Sequence, residues 1–80
     1  NYPNPFNPVT RISWQSPVAS WQTLKVYDVL GNEITTLVSE YRETGAYTID
    51  FNASKLASGV YYYELKAGDF IQSKKMILLK

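Results

Sequence analysis

Trp14 and Trp21 bracket a short polar stretch that holds Gln15, Ser16, Pro17 and Ser20. Indole faces beside amide and hydroxyl groups suit a carbohydrate, which stacks on the ring and hydrogen-bonds at its edges. The competing structural reading, which we prefer, puts Trp14 in a core and Trp21 over a sheet edge. Other chemistry is poorly provided for. The 80 residues contain no histidine and no cysteine. The commonest general base, the commonest metal ligand, the thiol nucleophile and any disulfide are therefore absent. Asp28, Asp50, Asp69 and the glutamates are scattered, and Ser13, Ser16 and Ser20 have no base beside them in sequence. No loop matches a phosphate-binding glycine pattern or a calcium loop. The expectation is a protein with no catalytic residues, cofactor or metal. Asn52-Ala53-Ser54 matches a glycosylation sequon, which has meaning only in a eukaryotic secretory route.

The second feature is the run Lys74-Lys75-Met76-Ile77-Leu78-Leu79-Lys80. Met76 and Leu78 share one phase of a strand and Ile77 and Leu79 the other, so both faces are apolar. Such a strand is either central between two layers or has a face or edge that waits for a partner strand. From Lys66 onward there are four lysines against one acid, Asp69. They either protect a soluble edge strand or serve in recognition.

Eighty residues make one domain, and a chain of that size buries only about 60% of its unfolded surface. Three phenylalanines, two tryptophans and seven tyrosines let a small β-protein bury much area per residue. A net charge of +1 gives no nucleic-acid footprint. No segment is apolar and long enough to span a bilayer as a helix, and no signal peptide is present. A start at Asn1 rather than methionine predicts a piece of a longer protein.

Residues 1–8 hold three of the four prolines and read as an entry segment pinned by Tyr2 and Phe6, with the folded domain from 9 to 80. Thr10, Ile12 and Trp14 alternate with Arg11, Ser13 and Gln15. Leu24 and Val26 alternate with Thr23, Lys25 and Tyr27, and a turn at Leu30 to Glu33 returns the chain through Ile34 to Ser39. Tyr41 to Thr44 reads as a polar loop. Tyr47, Ile49 and Phe51 share one face of the next strand. Tyr61, Tyr63 and Leu65 face inward from another, with Tyr62, Glu64 and Lys66 outward. Ala67-Gly68-Asp69 turns the chain into a last strand or pair of strands. The one helical candidate is a single turn at Ala53 to Ser58, capped by Asn52. These signals predict an all-β, immunoglobulin-like or fibronectin-like antiparallel sandwich of six or seven strands, with a small closed barrel as the alternative. Leu56, Gly59 and Tyr61 carry the signature of a tyrosine corner, in which the phenol hydroxyl returns to upstream backbone.

Four segments together resemble the type A C-terminal sorting domains of the type IX secretion system. Tyr2-Pro3-Asn4-Pro5-Phe6-Asn7-Pro8 is similar to the family's opening motif, and Val26 to Gly31 to its central strand and turn. Leu56 to Leu65 is similar to its Gly-Val-Tyr strand, and Lys74 to Lys80 to its terminal motif. Val26 to Gly31 alone also resembles an Ig-like domain attached to flagellar hook-capping proteins, and the opener and terminal motif separate the two. The resemblance implies a non-catalytic module on a larger cargo protein that reaches the periplasm of a Gram-negative-type bacterium by its own signal peptide. It implies recognition at an outer-membrane translocon, then cleavage by a sortase-like peptidase and anchoring at the cell surface. By motif matching, recognition falls on Gly59, Val60, Tyr61, Tyr63 and Leu65, and on Lys74, Lys75, Met76, Ile77, Leu78, Leu79 and Lys80. A carbohydrate-binding accessory module of a secreted hydrolase, carried by Trp14 and Trp21, and a passive spacer are the alternative readings.

Overall fold

Alternating β-branched, aromatic and polar residues dictate strands, and the computed structural model, which describes residues 9–79, contains six of them. They are β1 (Val9–Ser16), β2 (Ser20–Asp28), β3 (Glu33–Arg42), β4 (Gly45–Asn52), β5 (Gly59–Ala67) and β6 (Phe70–Leu78). All pairings are antiparallel. β1 and β4 form a two-stranded sheet, and the other four form a second sheet in the order β3-β2-β5-β6. Two separate sheets make the sandwich rather than the closed barrel. The expected entry segment 1–8 lies outside the described residues, as does Lys80.

The inward phase of each strand supplies the core. Ile12 and Trp14 from β1 and Phe51 from β4 meet Leu24, Val26, Val38, Tyr61, Leu65 and Leu78 from the larger sheet. Gln22 shares the phase of Leu24 and Val26 and is fully buried. Burial of an amide is tolerable only with partners, and it has them. Its Oε1 accepts from Trp14 Nε1 at 3.3 Å, its Nε2 donates to Ser16 Oγ, and Ser16 Oγ donates to the Val18 carbonyl at 2.8 Å. This chain of bonds crosses from β1 to β2 and fixes how the two sheets sit. At the rim of the core, Trp14 and Tyr47 stack with centroids 5.7 Å apart. The Arg42 guanidinium lies 4.9 Å from the Tyr47 ring centre and 5.7 Å from that of Trp14.

Two local expectations change. Tyr41 and Arg42 belong to β3 rather than to a loop, because each pairs across to β2, Trp21 with Tyr41 and Ser20 with Arg42. Ala53 to Ser58 forms turns and no helix. Asn52 Oδ1 accepts from Ser54 N at 2.9 Å, and a single Leu56 N to Ala53 O bond of 3.0 Å closes the turn before the chain enters β5.

Candidate functional site

The last strand is positioned by the turn before it. Gly68 has φ of +60°, a conformation that costs glycine little. A two-residue loop at Gly68-Asp69 sets Ala67 opposite Phe70, and the ladder then runs without slippage to Gly59 opposite Leu78. Since a slip of one residue would exchange the faces, this turn decides which side of β6 is hidden. Leu78 is buried and Met76 half-buried, whereas Ile77 is 60% exposed and Leu79, just past the strand, 81%.

β6 is an edge strand that pairs with β5 alone among the described residues. Of the two arrangements left open by its sequence, the central one is therefore excluded. The two lysines diverge. Lys75 stands opposite Tyr62 on the outer face, while Lys74 stands opposite Tyr63 on the inner face. Among the described residues the second sheet, only two strands wide, leaves the Gln72 to Lys74 stretch of that face open. The result is a groove of about 480 Å³ between β1 and β6, with Ser13, Gln15, Phe70, Gln72 and Lys74 in its walls. Neither lysine has an ion-pair partner among the described residues.

The earlier Gly-Val-Tyr segment is mostly structural. Tyr61 Oη donates to the Ala57 carbonyl at 2.8 Å, across the corner made by Leu56 and Gly59. Tyr61 and Leu65 are buried, and Gly59, Val60 and Tyr63 are half-buried. The side chains of Tyr61, Leu65 and Leu78 lie in the core. Among the described candidates, Lys74, Lys75, Ile77 and Leu79 are the exposed ones.

Trp14 is 6% exposed and Trp21 60%. Trp14 points inward with Gln22, and Trp21 occupies the opposite phase of β2, so the two rings form no common platform. Trp21 instead faces Tyr41 across the ladder on the outer side.

At the tip of the β2–β3 hairpin, Asp28 organises the turn. Its Oδ1 accepts from Leu30 N and Asn32 N, both at 2.9 Å, and its Oδ2 accepts from Asn32 Nδ2 at 3.1 Å. The Asn32 backbone bond chiefly holds this carboxyl below its ordinary value; desolvation opposes it, and the Asn32 side chain, Leu30 and Gly31 add lesser help. Gly31, at φ +87°, closes the turn. Sequence reasoning found the turn but not what it displays, the exposed Val29 and Leu30. Among the described residues no group of three or more acidic, histidine or cysteine side chains could hold a metal ion. No helix is long and apolar enough to cross a membrane.

The family model for the secretion system C-terminal sorting domain matches residues 1–79. The chain belongs to this family. No curated protein and no solved structure gives a match. As a sorting domain of type IX secretion, it implies interaction with that machinery and with a cargo, and export across the outer membrane to a secreted or cell-surface location. Sorting domains of this family are in general non-catalytic.

Proposed function

We propose that this sorting domain is itself non-catalytic and directs a larger cargo by presenting β6 to the outer-membrane translocon. The translocon reads the free strand edge together with Lys74, Lys75, Ile77 and Leu79. Cleavage by a sortase-like peptidase and anchoring at the cell surface follow. The observation that carries the reading is the condition of the terminal strand. Among the described residues it lies at a sheet edge paired on one side only, with three large aliphatic side chains, Ile71, Ile77 and Leu79, turned to solvent at or just past the strand, and two lysines that have no acidic partner. An edge of this kind accepts a partner strand through main-chain hydrogen bonds, while side chains supply selectivity.

Removing residues 74–80 outright would be a poor test, because it also deletes Leu78 from the core. The better variant combines Lys75→Glu, Ile77→Ser and Leu79→Ser, all exposed positions, in the full 80-residue chain fused to a periplasmic reporter. The reporter is then fractionated between periplasm, cell surface and medium in a host that has the secretion system. The expected outcome is retention in the periplasm with the thermal unfolding midpoint nearly unchanged. Trp21→Ala should leave export intact. If the triple variant reaches the surface at the wild-type rate, β6 is not the element that is read.

A further inference from the structure

The β2–β3 turn and the exposed side of β6 lie at the same end of the larger sheet. Asp28 pairs with Tyr61, and Tyr61 with Met76, so these three residues form one row across β2, β5 and β6. With strands about 4.8 Å apart, β2 and β6 are separated there by about 10 Å. Immediately beyond that row come Val29 and Leu30 in the turn that follows β2, Val60 on β5, and Ile77 on β6. Val29 is 66% exposed and Leu30 83%, beside Ile77 at 60% and Leu79 at 81%.

Hairpin tips are normally polar, since aliphatic groups in water gain nothing by folding. Here two adjacent aliphatics occupy the tip, and the turn that carries them is held to one carboxylate by two backbone hydrogen bonds and one from the Asn32 side chain. They contribute nothing to the core, and they follow directly on the row that leads across β5 to the exposed side of β6. Lys75 borders this surface, opposite Tyr62, with no acid paired to it among the described residues.

We infer that the Asp28–Asn32 turn is a second contact for the translocon, with Val29 and Leu30 continuing the apolar surface of Ile77 and Leu79 onto a partner face that is apolar and rimmed by acidic groups. The inference rests on the reading of β6 given above. It assigns to the turn a role in binding rather than in stability. The occupant is the same partner that β6 meets, because the two patches are too close for two macromolecules to seat independently.

The test uses the same reporter fusion of the full chain, with Val29→Ser and Leu30→Ser together, and Leu30→Ser alone as the variant least able to disturb folding. The expected result is a loss of surface-delivered reporter by about tenfold for the pair, the size of effect that a modest apolar contact carries, and a smaller loss for Leu30→Ser. The thermal unfolding midpoint should stay at the wild-type value for both. Wild-type export of both variants, while the Lys75, Ile77 and Leu79 triple variant is retained in the periplasm, would overturn this inference and leave the reading of β6 standing. Wild-type export of the triple variant would overturn both.

Discussion

Tyr61 illustrates how little of a motif's meaning lies in accessible chemistry. Its phenol is buried, and its hydroxyl serves the Ala57 carbonyl four residues upstream. Tyr61→Phe keeps the ring and deletes that bond, so it should lower stability by about 1–2 kcal/mol, read as a shifted urea midpoint with an unchanged slope. The spacing of Leu56, Gly59 and Tyr61 was enough to anticipate this contact, because a corner is a local device. Trp14 and Trp21 were harder, since their separation in sequence says nothing about the phase of two different strands. Trp14 lies in the phase of Ile12 and Trp21 outside that of Leu24 and Val26. The buried Gln22 could have been noticed by the same count, as a polar residue on an apolar face. Its partners Trp14 and Ser16 come from another strand and leave no trace in the local pattern.

At the scale of elements, the hairpin turn depends on the charge state of Asp28. Its carboxyl titrates below the ordinary value in the folded chain, chiefly through the Asn32 backbone bond. The stabilisation it gives is therefore complete above the unfolded value near pH 4 and is lost as pH falls through the lower folded value. Asp28→Ala should be less stable than wild type at neutral pH, and the gap should narrow below about pH 4. Parallel urea titrations at several pH values measure that gap, and a constant difference would mean the charge is irrelevant. The strands themselves were legible wherever alternation was clean, as in β1, β4 and β5. β3 was found as the returning arm Ile34 to Ser39 but not its extension to Arg42 or its faces, because its register against β2 shifts twice, and Leu37 and Ile34 are passed over between paired positions. Such shifts break the period of two on which the reading of a strand depends.

Among the described residues the sandwich is lopsided, with two strands laid over four. Composition and turn spacing announced a sandwich. They could not announce this inequality, which depends on which strands find each other across long stretches of sequence. Its consequence is that β6 contributes to the interior mainly near its end, through Leu78, with Met76 half-buried beside it. Leu78→Ala should cost about 2–5 kcal/mol, a large fraction of what so small a domain possesses. In the reporter fusion its export defect should disappear at low temperature or in a stabilising osmolyte, where the fold recovers. The defect of the Lys75, Ile77 and Leu79 variant should persist under both conditions.

The alternation of β6 also has a meaning for timing. Leu78 inward and Ile77 outward are two halves of one geometric fact, fixed by the Gly68-Asp69 turn far from either. An extended, unfolded tail carries the same letters but shows them on no particular side, with no neighbouring strand to hold an edge open. A gatekeeper that requires the folded arrangement would pass only chains whose ends have already finished folding, so the address on the parcel would become readable only once its wrapping is complete.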